Sequence, residues 1–192
     1  MLLDDFLPEI QFNEVHTVHV NAPPEKVFTA IKELTASELS PLIFWMLNLR
    51  ELPGRLLGKT KPGNFHAGPF LDQLYEEGFI PLGELPSKEL VFGLIGQFWK
   101  LAGDDELPTP VTTPEDFLSF ANPEYAKVAA NLIVTKIDGS EKTLCSTETR
   151  VYLPNQKTRK KFAFYWRIIS MGSGWIRVLW LRAIKHKAEA AI

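Results

Sequence analysis

The chain has 192 residues, a net charge of −2 and 45% hydrophobic residues. That composition excludes a disordered, collagen-like or coiled-coil chain and fits one globular domain over 1–192. Twenty-one bases against 23 acids leave no surplus to neutralise many phosphates, so nucleic acid is not an expected partner.

The opening Met1-Leu2-Leu3-Asp4-Asp5 interrupts its apolar run with two acids and does not read as a signal peptide. Glu14 to Val20 is rich in β-branched residues and reads as a strand. Asn21–Glu25 breaks it. Pro24 suits the first turn of a helix in which Val27, Phe28, Ile31 and Leu34 share a face. A second helix is expected from Ser40-Pro41 to about Glu51, apolar on more than one side. Glycine and proline mark residues 53–68 as a loop. Strands are expected at 79–85 and 89–99, joined at Pro86-Ser87-Lys88. Residues 102–114 read as an acidic, proline-rich loop and 115–120 as one helical turn. Two long strands, 125–137 and 143–153, flank the hairpin signal Asp138-Gly139-Ser140. From about Asn155 a long helix runs to the end.

That helix is the most informative element. Phe162 to Leu181 is mostly apolar, yet it contains Arg167, Arg177 and Gly172-Ser173-Gly174. An arginine near a bilayer centre costs ~2.5–3.5 kcal/mol, so no transmembrane span is expected. At about 100° per residue, Tyr165, Ile169, Ile176, Leu179, Trp180 and Ala183 gather on one broad side with Phe162. Arg167, Ser170, Gly174, Arg177 and Lys185 fall opposite. The apolar side is expected to lie across a sheet.

The order of elements resembles the START/Bet v 1-like superfamily, which includes polyketide cyclases and lipid-transfer domains. EVHTVHVNAPPEKVFTAIKEL, LCSTETRVYL and KKFAFYWRIISMGSGWIRVLWLRAI carry the resemblance, as soft patterns of residue type. It implies an α+β helix-grip fold: a curved antiparallel sheet wrapped around a long C-terminal helix, with two short helices after the first strand. It also implies an apolar cavity between sheet and helix. Some members bind lipids or hydrophobic small molecules and a minority are enzymes, and fold does not choose between them.

No motif supplies covalent chemistry. Gly54-Arg55-Leu56-Leu57-Gly58-Lys59-Thr60 has three residues before Gly-Lys-Thr where a phosphate loop needs four, and it follows a helix. His16 and His19, three apart on a strand, point to opposite faces, while His66 and His186 stand apart. No metal and no cofactor is expected. There is no Gly-x-Ser-x-Gly elbow. The lone Cys145 cannot make an intramolecular disulfide and fits a reducing, cytoplasmic setting as a small buried residue.

Ser146, Glu148, Arg150 and Tyr152 share one face of a strand, with Thr147, Thr149 and Val151 on the other. Turned toward the helix, Glu148 and Arg150 orient a ligand in an apolar cavity, joined by Asn131 from the preceding strand. Turned away, they form a solvated ion pair worth ~0–1 kcal/mol. The expected ligand-lining set is Phe92, Asn131, Glu148, Arg150, Tyr165, Trp166, Ile169 and Ile176. The expected function is non-covalent binding of a hydrophobic small molecule or lipid. The alternatives are a cyclase- or hydratase-like enzyme, with Glu148 as base and Arg150 stabilising negative charge, or an interaction or stress module with a filled core.

Overall fold

The computed structural model describes residues 1–43, 68–100 and 107–190. Among these residues the strands are β1 (Phe12–Val20), β2 (Ile80–Leu85), β3 (Glu89–Gly96), β4 (Ala126–Lys136) and β5 (Thr143–Tyr152). They form one antiparallel sheet in the order β1-β5-β4-β3-β2, with β1 and β2 at its edges among the described residues. The helices are α1 (Leu2–Phe6), α2 (Pro24–Glu33), α3 (Phe70–Glu76), α4 (Pro114–Ser119) and the long α5 (Gln156–Ala190). A 3-10 turn at Ala36–Glu38 follows α2. The class is α+β, with α5 packed on the sheet and short helices after the first strand, as expected.

Local chemistry explains most boundaries. Pro24 occupies the first turn of α2, where a missing N–H costs nothing, and α2 buries Val27, Phe28, Ala30 and Ile31. The β4–β5 hairpin turns through Gly139 at φ +71°, a left-handed conformation that glycine adopts without strain. α4 is capped by Thr113, whose hydroxyl accepts from the Asp116 N–H, while the Asp116 carboxylate accepts in return from the Thr113 N–H.

Two helices were not expected. α3 follows a glycine- and proline-rich stretch, although Phe70, Leu71, Leu74 and Tyr75 have helical spacing. α1 has five residues, too few to leave a periodic pattern, yet Leu3 and Leu7 are buried one turn apart. Of the expected helix from Ser40 to Glu51, residues 41–43 are helical and the rest lies outside the described residues, as do Gly54–Thr60 and His66.

The sheet is covered on both faces. One face presents Val18, Val20, Leu90, Phe92, Ala130, Leu132, Val134 and Cys145 to α2, α3 and α5, forming the main core. The other presents Ile80, Leu82, Val91, Ile95 and Ala129 to α1 and α4, where Leu3, Leu7 and Phe117 close over them. At the start of α5, Phe162 packs with Phe12, Val151, Leu153 and Trp166.

The rotation of α5 agrees with the expected one only in part: Phe162, Trp180 and Ala183 are buried, but the rest of the expected side is not. Its sheet-facing line runs through Phe162, Trp166, Gly174, Arg177, Leu181, Ile184 and Ala188. Ile176 and Leu179 are half-buried against the flank of the main core. The helix is turned by roughly a quarter turn from the orientation that apolarity alone sets. The cause is on the sheet, which offers polar partners under Gly174 and Arg177.

Candidate functional site

Antiparallel register brings three pairs together beneath the middle of α5: Glu14 opposite Thr149, His16 opposite Thr147, and Val18 opposite Cys145. The first two pairs are polar. Arg177 reaches down from α5, its Nε donating to Thr149 Oγ1 at 2.9 Å and its Nη1 to Glu14 Oε2 at 3.2 Å and Ser173 Oγ at 2.6 Å. The other Glu14 oxygen lies 2.8 Å from His16 Nε2. Gly174 permits this approach, because a Cβ there would run into the Glu14 carboxylate. The side chains of Glu14, Arg177 and His16 are between 17% and 23% exposed, so the cluster is sheltered but touches solvent. Burial lowers the Arg177 pKa from its ordinary value, and the Glu14 charge works against that. The cluster offers a guanidinium, a hydroxyl and an imidazole to the polar end of a molecule lying in apolar surroundings.

Those surroundings begin one turn further along α5. Trp180 packs edge-on to Phe70 at 5.3 Å and against Phe92 at 6.0 Å, and Phe92 meets Phe79 at 5.9 Å. Trp180 is 8% exposed, and its buried indole N–H finds no acceptor among the described residues. A buried donor left unpaired costs ~1–3 kcal/mol.

The sheet divides the expected lining residues. Phe92 and Ile176 lie on the helix side, in or against the main core. Ile169 is half-buried on α5. Tyr165 and Trp166 belong to a separate cluster around Phe162. Asn131, Glu148 and Arg150 are on the opposite face, away from α5. Strand alternation grouped Glu148 with Arg150 correctly, but the orientation toward the helix is overturned, and so is simple solvation. α1 covers them instead.

Beneath α1 these residues form a polar network. Arg150 donates from Nε to Glu148 Oε1 at 2.8 Å, and from Nη1 to Asp4 Oδ1 at 2.7 Å and the Leu7 carbonyl at 3.2 Å. Asn13 also donates to Glu148 Oε1 at 2.9 Å. Burial works against the Arg150 charge, but the bonds to Glu148 and Asp4 outweigh it and raise the pKa. Glu89 accepts from the Leu2 and Leu3 N–H groups at 2.7 and 3.1 Å, satisfying free donors at the start of α1. Asn131 donates to Glu89 at 2.9 Å and accepts from the Glu148 backbone N–H at 2.9 Å. The network ties α1 to the sheet, and the Glu148 carboxylate is engaged by Arg150 and Asn13.

Glu14, Thr149, Ser173 and Arg177 were missed. The signal was present in Glu14-Val15-His16, where an i, i+2 pair shares a strand face. Among the described residues no group of three or more His, Cys, Asp or Glu side chains could hold a metal ion. No described helix is long and apolar enough to cross a membrane.

Neither the comparison with protein families nor that with curated proteins finds a match. Among solved structures, a structural-genomics protein from Nitrosospira multiformis is similar at 11% identity and TM-score 0.37, over 92% of this chain and 95% of that one. TTHA0849 from Thermus thermophilus is similar at 8% identity and TM-score 0.31, over 94% and 99%. Ara h 8.0201, a Bet v 1 family allergen, is similar at 10% identity and TM-score 0.25, over 93% and 98%.

Proposed function

We propose that the protein binds an apolar small molecule or lipid between α5 and the sheet. The ligand carries at least one acceptor oxygen. The observation that carries this reading is the Trp180 indole N–H, buried without a partner among Phe70 and Phe92. An acceptor on a bound molecule offsets that penalty, and burial of its apolar part adds ~25 cal/mol per Å2. Arg177, one turn before Trp180 on α5, and the Glu14–His16 pair beside it form the adjoining polar cluster, which suits a second polar group on the ligand.

Native mass spectrometry of the protein purified from its own cell tests this. A bound apolar molecule is expected at near one per chain. Trp180→Phe lowers its occupancy and Trp175→Phe, on the outer side of α5, does not. Wild-type protein that carries no such molecule and takes up no apolar probe such as 1-anilinonaphthalene-8-sulfonate overturns the reading.

The Glu14–His16 pair favours a second reading, a cyclase- or hydratase-like enzyme on the same molecule. His16, oriented by Glu14, then moves the proton in place of Glu148. Conversion of the extracted ligand by wild type but not by His16→Gln is the result this second reading requires.

A further inference from the structure

The side of α5 turned away from the sheet carries an exposed apolar line. Phe164, Ile168 and Trp175 are 72%, 60% and 60% exposed. Their spacings of four and seven place them on one helical face, over roughly 16 Å of axis. Lys157 and Lys161 extend the line before it and Arg182 after it, with Lys160 and Arg167 beside it. All five bases are exposed, and none has an ion pair among the described residues.

The charge is segregated as well. α5 holds nine Lys and Arg against one acid, Glu189, whereas the rest of the chain holds 12 bases against 22 acids. Nine bases less one acid give α5 a net charge of +8, and 12 bases less 22 acids give the rest of the chain −10. Single exposed apolar residues are ordinary. A line of them set between bases, on a helix whose other face is packed, is the pattern of a helix that lies in a membrane interface.

We infer that the outer face of α5 docks the protein on an anionic bilayer surface. Phe164, Ile168 and Trp175 enter the boundary between headgroups and acyl chains. Lys157, Lys160, Lys161, Arg167 and Arg182 meet the headgroup phosphates. A fluid surface accommodates a convex helix without the matching groove that a folded acidic partner would need. This inference stands independently of the ligand site.

The test uses the full chain and vesicles of phosphatidylcholine with and without phosphatidylserine. The protein is expected to sediment with the anionic vesicles and to be released as salt shortens the screening length. Phe164→Ser with Ile168→Ser weakens binding roughly tenfold or more. Lys160→Glu with Lys161→Glu does the same through charge, again by roughly tenfold or more. All four positions are exposed, and circular dichroism verifies that the variants fold. Trp175 emission moves to the blue on binding, and Trp175→Phe removes that shift while sedimentation persists. Three results overturn the inference: no sedimentation with anionic vesicles, binding to soluble polyglutamate in its place, or a dimer in ultracentrifugation that Phe164→Ser dissolves.

Discussion

Arg177 of α5 and Thr149 of β5 meet at 2.9 Å, the guanidinium Nε donating to the hydroxyl oxygen. This bond sets the rotation of the long helix, because it puts an arginine at the centre of the sheet-facing line. Ile184, two turns on, is fully buried on that line, whereas Ile168 is turned outward. Ile184→Asp should therefore destabilise by more than ~3 kcal/mol, since it buries an unpaired charge. Ile168→Asp should stay within ~0.5 kcal/mol. Chemical denaturation measures both, and equal losses would show that the helix is rotated otherwise.

Arg150 is buried and Glu148 nearly so, and each is the other's principal charged partner. Removing only the cation leaves the Glu148 carboxylate in a sheltered site with Asn13 alone. Arg150→Ala should cost ~3–5 kcal/mol, the range for breaking a buried pair. Adding Glu148→Gln should recover part of that loss. A double-mutant cycle by thermal melting reads the coupling, and a value near zero would mean that the pair does not hold α1 in place.

Strand positions were legible because β-branched runs and turn residues mark them locally. Asp138-Gly139-Ser140 announces its hairpin, and alternation separates Thr147 and Thr149 from Glu148 and Arg150. Which face of β5 meets α5 was not legible, because both faces are covered and α1 is too short to show a period. Helical spacing puts Arg177 opposite the apolar side expected on the sheet. Its place beneath the helix depends on Glu14, which lies 163 residues earlier and is brought there only by strand pairing. His16 and His19 fall on opposite faces, and the partner of His16 on its own face is Glu14. Periodicity located the apolar elements, and the polar site arose from long-range register that no window along the chain contains.

Asp4 links the network to pH. The hydrogen bond from Arg150 holds its carboxyl below the ordinary Asp range. A depressed carboxyl adds stability above its unfolded pKa and loses it as pH falls through the folded value. Docking of α1 should thus be constant from neutral pH to about 4, an ordinary Asp pKa, and should weaken below it. Asp4 is half-exposed, so solvent screening keeps the loss within ~1 kcal/mol. Methyl NMR shifts of Leu3 and Leu7 should follow that transition in wild type and lose it in Asp4→Asn. An unchanged titration in the variant would assign the acid response to another group.

Burial pushes the Cys145 thiol up to about 12, so it carries almost no thiolate at neutral pH. It sits in the main core, out of reach of reagents. Labelling by a disulfide reagent should be negligible in the native protein and should rise with urea in step with global unfolding. Fast labelling without denaturant would place Cys145 in a segment that opens locally.

Gly174 gives the sharpest test of the site, because two effects of opposite sign meet there. Alanine is a better helix former than glycine by ~0.8–1.0 kcal/mol, so propensity alone makes Gly174→Ala stabilising. The added Cβ, however, meets Glu14 Oε1, with His16 Nε2 at 3.2 Å and His16 Cε1 at 3.3 Å. That carboxylate is not free to swing away, since Arg177 and His16 both hold it. Overpacking of this kind costs ~1–3 kcal/mol, so the net effect should be destabilising. Glu14→Ala removes the obstacle. In that background Gly174→Ala should turn stabilising by up to ~1 kcal/mol, reduced by the remaining contact with His16. Urea denaturation of the four proteins gives the sign in each background. The same sign in both would mean that Gly174 is not there to admit Glu14, and the close approach of α5 to β1 would need another cause.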